Sequence, residues 1–331
     1  MTQWGELFDT FVDAALTTDV TVGREDILTH LKVGTLVPSR YLYASDSGAA
    51  NWIQLCEDAT YPLHQETVQF WTDQQGREVA DLIHERLGRD DVDYVSLGPG
   101  AGEKDAGLIG HWLDAGMDLF YYPYDISPML VSKAVHTVRE NVLQTANERL
   151  RIKAVLADFY QLNAVRKVFA HRDSPNVVGL FGGLGNLPNE RQFLQKLKQE
   201  MGKQDILVLE VRLKADEEDD VTELKEGVAA LRFDFGALES YLGLSFDPTM
   251  MTVKRQPKKS SITDAVTTVV GCKQVKYDGK VFDDAKLLVI HQYSEGSFLG
   301  ALKKWGFDII EKWRGEGAER FLVCVARLSD A

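Results

Sequence analysis

The stretch Leu97-Gly98-Pro99-Gly100-Ala101-Gly102 sets three glycines between an apolar run and the charged Glu103-Lys104-Asp105. Turns this rich in glycine let main-chain N–H groups approach a ligand, because no Cβ stands between them. A Walker-type phosphate loop ends in Gly-Lys-Ser/Thr so that the hydroxyl reaches magnesium; here Gly102 leads into Glu103-Lys104-Asp105, and that reading fails. A dinucleotide fingerprint requires glycine where Glu103 stands. The spacing is GxGxG, common in sites for S-adenosylmethionine (SAM). An acid in the first helical turn repels a pyrophosphate, whereas SAM has no phosphate and carries a sulfonium cation.

Two further acids stand where a nucleoside could be held. The second apolar run ends in Tyr124-Asp125-Ile126-Ser127, and a carboxylate there can accept both ribose hydroxyls. NAD enzymes use an acid in an equivalent place, and Asp125 also suits the cap of a helix that Pro128 helps to start. The third run ends in Ala157-Asp158-Phe159, where a carboxylate can accept from an adenine amino group while the next N–H donates to the ring. Together the three strand ends fit SAM better than NAD.

These groups need a scaffold that brings strand ends side by side. Strands are predicted at 92–97, 119–124, 152–156, 176–181 and 205–211, with helices near 104–115, 129–147 and 189–201 between them. The last helix has Pro188 in its first turn, Phe193, Leu194, Leu197 and Met201 on one face, and Gly202 at its end. Alternating β and α with apolar strands predicts a parallel sheet covered on both faces. Before it, 64–87 reads as one strong helical stretch, and 1–62 as helical segments around a loop with no sheet.

The alternation breaks after Val211. The acidic run Asp216–Asp220 reads as a solvated loop, followed by a helical segment at 222–241 and the Pro- and Lys-bearing stretch MMTVKRQPKKSS. Strands near 270–277 and 286–293 flank the hairpin signal Tyr277-Asp278-Gly279. A helix at 296–304 and strands at 307–313 and 320–328 end the chain, which is how class I methyltransferase sheets close, with one antiparallel strand.

Composition sets outer bounds. With 331 residues, 44% hydrophobic and 26% charged, the chain is that of a globular protein with room for one large domain or two ordinary ones. A net charge of −13 argues against a nucleic-acid partner. No membrane-length apolar run or signal peptide is read, and three widely spaced cysteines suggest a reducing cytoplasm. The seven histidines form no HExxH or other close cluster, so no metal is expected.

Several segments carry a resemblance: "YLYASDSGAANWIQLCEDATYP", "LGPGAGEKD", "YYPYDIS", "LADFYQL", "LFGGLGNLPNERQFLQKLKQEM" and "YSEGSFLGALKKWGF". From about residue 40 to the end the chain resembles the histidine-specific SAM-dependent methyltransferases, typified by the enzyme that trimethylates histidine in ergothioneine biosynthesis. The glycine loop and the two acid-bearing turns are common to many methyltransferases, whereas the Gly-Asn-Leu turn after strand four is more specific. The resemblance implies an α/β fold: a class I, Rossmann-like, mostly parallel seven-stranded sheet with one antiparallel strand, plus a second, smaller α+β domain. Residues 63–213 with 297–331 would form the SAM-binding domain, and 1–62 with 214–296 a second one roofing the substrate. It implies cofactor contacts at Gly98, Gly100, Lys104, Asp125, Asp158, Phe159 and Gly182, with the Lys104 ammonium meeting the methionine carboxylate of SAM. It implies substrate contacts at Tyr43, Tyr61 and Asn186; Asn186 also suits a plain turn or helix cap.

The departures point to a different acceptor. Where the family places a carboxylate-binding tyrosine, Glu223 stands, and the late strand Lys286–Tyr293 contains no Glu-x-Ser to read an imidazole. The turn after strand four is one residue shorter. Glu223 and Tyr61 are the candidate catalytic residues: Glu223 to bind a cationic group or take its proton, Tyr61 with Tyr43 and Phe159 to face the sulfonium or a cationic amine. The expected activity is N-methylation of a small amine or amino-acid-like metabolite other than histidine, in the cytoplasm. The alternatives are a histidine Nα-methyltransferase, a SAM-binding protein without methyl transfer, and an NAD-linked oxidoreductase.

Overall fold

The structure of the protein, a computed structural model, describes residues 10–13, 20–57, 62–142, 148–158, 176–214, 243–315 and 321–329. Helices α1 (Val20–Val33), α2 (Arg40–Tyr43), α3 (Asp46–Glu57), α4 (Pro62–Thr72) and α5 (Gln74–Leu87) follow a short strand, β1 (Thr10–Asp13). The helical stretch expected at 64–87 is therefore two helices. Asp73 is extended between them (φ −90°, ψ −170°). Helix α5 buries Val79, Ala80 and Ile83 on one face and ends at Gly88 in the left-handed conformation, whose N–H returns to the His84 carbonyl.

From there strands and helices alternate as expected: β2 (Asp91–Leu97), α6 (Glu103–Asp114), β3 (Asp118–Asp125), α7 (Pro128–Val142), β4 (Leu150–Leu156), β5 (Asn176–Phe181), α8 (Glu190–Glu200) and β6 (Ile206–Arg212). Pro188 precedes α8 rather than opening it, because Asn189 is the cap and accepts from the Gln192 N–H. The chain then builds β7 (Ser245–Phe246), β8 (Met251–Lys259), β9 (Asp264–Tyr277) and β10 (Lys280–Tyr293). Helix α9 (Glu295–Lys304), β11 (Phe307–Arg314) and β12 (Phe321–Leu328) close it.

The main sheet runs β1-β4-β3-β2-β5-β6-β12-β11. All neighbours are parallel up to β6; β12 lies antiparallel to both β6 and β11. Without β1 this is the seven-stranded class I methyltransferase sheet. The eighth strand is the departure: β1 pairs parallel with β4, Thr10 opposite Lys153, in a segment read as having no sheet. Alternating side chains feed two cores. Tyr94, Trp112, Tyr121 and Val135 lie in one, and Val95, Tyr122, Phe193 and Phe298 in the other.

A four-stranded antiparallel sheet forms from β7 to β10. Its β9–β10 hairpin turns at Asp278 and Gly279, both at positive φ (48° and 72°), the two-residue geometry that suits twisted strands. The Pro- and Lys-bearing stretch, for which no strand was expected, is β8. Pro257 is tolerated there because, among the described strands, β8 pairs with β9 alone. A third core joins Ile27, Leu31, Tyr41 and Leu42 of α1 and α2 to Val270, Leu287 and Leu288 of this sheet. The second sheet returns to the first where Leu213 bridges Tyr293 and the Lys214 N–H reaches the Tyr293 carbonyl at 2.8 Å.

Candidate active site

The carboxyl ends of β2, β3 and β4 lie side by side, as the expected site requires. The Gly98 N–H donates to the Tyr124 carbonyl at 2.8 Å, and the Ala157 N–H to the Asp125 carbonyl at 2.9 Å. On the other flank, the Gly182 N–H donates to the Glu210 carbonyl at 3.0 Å. A crevice at strand ends, on the side where the order reverses from β2 to β5, is where open α/β sheets bind ligands.

The glycine loop has a backbone that other residues would not adopt. Gly98, Gly100 and Gly102 have φ of 69°, 59° and 87°. At Gly102, which starts α6, a Cβ would lie 2.6 Å from the Ala134 Cα of α7. At Gly100 it would lie 2.9 Å from the Trp52 indole nitrogen of α3. Tyr43 meets that indole edge-on, with ring centroids 5.7 Å apart and planes at 84°. Tyr43 is thus brought to the loop through Trp52, a residue the sequence reading did not single out.

Both strand-end carboxylates are nearly buried, at 6% exposure each. Asp125 Oδ1 accepts the Ser127 N–H at 2.9 Å. Burial, opposed by backbone N–H groups of Ser127 and Ile126 and reinforced by Asp158, pushes the Asp125 carboxyl up to about 7. The cap of α7 is Ser127, whose hydroxyl accepts the Leu130 N–H at 3.3 Å, so Asp125 is not the helix cap. Asp158 Oδ2 accepts from Arg40 Nη1 at 3.3 Å, and the same guanidinium reaches Asp26 at 2.9 Å. Arg40 opens α2, three residues before Tyr43.

Lys104 does not stand free at the loop. Its Nζ lies 2.5 Å from Glu210 Oε1, and Glu210 Oε2 accepts the Trp71 indole N–H at 2.8 Å. His64 lies 3.8 Å from Glu103. Burial first, then the Lys104 charge, pulls His64 down to about 3, so the ring is neutral near pH 7. Below the loop, Asp105 accepts from the hydroxyls of Tyr94 (2.6 Å), Tyr121 (2.6 Å) and Ser96 (3.0 Å). Burial pushes its carboxyl up to about 6 despite those donors.

Gly182 is exposed at the end of β5, and half-buried Asn186 ends a short 3-10 turn, Leu184–Asn186. That turn packs on β10 so closely that a Cβ on Gly185 would lie 2.8 Å from the His291 carbonyl oxygen. Tyr61, Phe159 and Glu223 lie outside the described residues. Arg40, Trp52, His64 and Glu210 were missed. Only Glu210 left a signal in sequence, a lone acid within the apolar strand ILVLEVR.

The strand ends thus bring together open glycine backbone at the loop, two nearly buried carboxylates, Asp125 and Asp158, and the Lys104 ammonium paired with Glu210. Among the described residues, no three His, Cys, Asp or Glu side chains are placed to hold a metal ion, and no helix is long and apolar enough to cross a membrane.

A profile of the family described as histidine-specific methyltransferase, SAM-dependent, matches residues 23–222, more than half of the chain. No curated protein sequence matches. Among solved structures, the chain is similar to a magnesium protoporphyrin IX methyltransferase from Synechocystis PCC 6803 with bound SAM. The identity is 14%, over 95% of this chain and 99% of that one, with a TM-score of 0.45. It is also similar to the 1,6-didemethyltoxoflavin-N1-methyltransferase of Burkholderia thailandensis, at 12% identity over 78% of this chain and 81% of that one, with a TM-score of 0.40.

Proposed function

The chain belongs to the histidine-specific, SAM-dependent methyltransferase family, and from that premise we propose that it N-methylates a small amine or amino-acid-like metabolite other than histidine. Bound at the strand ends, SAM supplies an electrophilic methyl group: a nitrogen–carbon bond forms as the sulfur–carbon bond breaks, leaving S-adenosylhomocysteine.

The row of strand ends carries the reading. The N–H groups of the Gly98–Gly102 loop and the Lys104 ammonium receive the amino-acid end, Asp125 the ribose hydroxyls and Asp158 the adenine amino group. Gly182 leaves space at the end of β5. On the acceptor side, Tyr43 and Asn186 bind the substrate, with Tyr61 and Glu223 assigned from sequence alone. Glu223 takes the proton that the methylated amine releases, and Tyr61 and Phe159 present aromatic faces to cationic groups. Helices α1 and α2, with the sheet β7–β10, act as the roof that orients the acceptor and excludes water. Alignment of this kind contributes roughly 7 kcal/mol or more at best.

The proposal against histidine rests on β10. Leu287, Leu288 and Ile290 pack into the core with α1 and α2, and the strand contains no Glu-x-Ser to pair with ring nitrogens. The family description itself favours the second reading, histidine as acceptor. A methylation assay with histidine beside a panel of amines, amino acids and guanidines separates them. Efficient dimethylation or trimethylation of histidine would overturn the acceptor proposed here.

A further inference from the structure

We propose that Glu210 is a positioning residue for the cofactor, holding the Lys104 ammonium at the glycine loop for the carboxylate of SAM's amino-acid end. The inference rests on the placement of that end at Lys104.

Glu210 is an acid in the middle of the sheet, in a strand otherwise apolar up to Arg212, and it is 3% exposed. A buried carboxylate is held at such a place only with strong partners. Both its oxygens are committed: Oε1 to Lys104 Nζ at 2.5 Å, Oε2 to the indole N–H of fully buried Trp71 at 2.8 Å. Its own carbonyl receives the Gly182 N–H. Glu210 therefore ties the ends of β5 and β6 to Lys104 in the first turn of α6.

A lysine carries its charge on a flexible stem, and ordering it costs rotamer entropy. The clamp from Glu210, itself fixed by Trp71, settles that cost before the cofactor arrives. An ammonium has three protons; Glu210 takes one and two remain for a carboxylate. A pair that served only the fold would not distinguish ligands with and without an amino-acid end.

Calorimetric titration of the full chain with S-adenosylhomocysteine and with 5′-methylthioadenosine, which lacks that end, tests this. E210Q is expected to weaken S-adenosylhomocysteine roughly tenfold or more while 5′-methylthioadenosine stays within about twofold, since only the charged contact is lost. W71F, which leaves the carboxylate but frees one oxygen, should show a smaller loss with the same selectivity, and it keeps the test available should E210Q fail to fold. Equal losses for both ligands would overturn the proposal. So would unchanged or tighter S-adenosylhomocysteine binding in E210Q while K104M loses it. If K104M itself binds both ligands as wild type does, the placement of the amino-acid end falls, and the role of Glu210 with it.

Discussion

Arg40 Nη1 donates to Asp158 Oδ2 over 3.3 Å, while Nη2 of the same guanidinium donates to Asp26 Oδ2 over 2.9 Å. A strand-end carboxylate of the main sheet is thereby fastened to α1 and α2, which bring Tyr43 towards the glycine loop. Tyr41 completes the knot, its hydroxyl donating to Asp26 at 2.6 Å.

Arg40 is half-exposed, and a pair of this kind contributes about 1 kcal/mol, roughly a fivefold change in a local opening equilibrium. R40M should speed amide exchange across Val20–Val33 and Arg40–Tyr43 by about that factor, with α5 unaffected. Hydrogen exchange followed by mass spectrometry reads this directly. Unchanged rates would mean that the third core alone holds these helices.

Cofactor affinity should depend on pH through Asp125. In the proposed placement ribose hydroxyls donate to the ionised carboxylate, whereas burial in the free protein holds the carboxyl up near 7. Binding therefore pulls the value down and releases a proton. S-adenosylhomocysteine should bind more tightly as pH rises from 5.5 to 8, and calorimetry in buffers of different ionisation enthalpy should show proton release around neutral pH. D125N should bind weakly and lose the break near 7, while any break from Asp105 near 6 remains.

Asp105 has the opposite consequence for the fold. Its folded value, about 6, lies above the ordinary 3.8, so the folded state binds the proton more tightly. Its contribution to stability is greatest below 3.8 and declines as pH rises towards 6. Urea unfolding of D105N should lack this decline. D105A leaves three buried hydroxyls without their acceptor and should lose about 3 kcal/mol or more.

G102A tests the loop at its tightest point. The new methyl meets the backbone of α7 at 2.6 Å, and the backbone sits at φ +87°. Strain and clash together should cost about 2–4 kcal/mol and abolish measurable S-adenosylhomocysteine binding. Thermal unfolding with and without ligand measures both.

The parallel core was legible because each of its strands is an apolar run bounded by a turn, and because Gly98–Gly102, Asp125 and Asp158 sit at run ends. Strand β1 was not legible. TFVD is too short for a periodic signal, and its partner lies far downstream at Lys153–Leu156. Strand β8 was hidden by Pro257 and its cations, which one-sided pairing tolerates. At the site, residues that touch the loop from other elements stayed invisible: Trp52 and Arg40 read as ordinary helix residues until folding sets them against Gly100 and Asp158. The split of 64–87 was lost for a related reason, since Asp73 disturbs the apolar spacing by a single extended residue.

Among the described strands, the one that completes the main sheet is made after all the others. Residues Phe321–Leu328 enter between β6 and β11, and Phe321 to Ala326 are all buried. Until they leave the ribosome, β6 presents an unpaired edge of Leu207, Val208, Leu209 and Val211, the kind of template on which nascent chains aggregate. A chain interrupted ahead of β12 retains every cofactor-binding residue assigned here and still lacks the strand that seals the edge beside Glu210, so such a product is expected to be cleared by chaperones and proteases rather than to survive as a partly active enzyme.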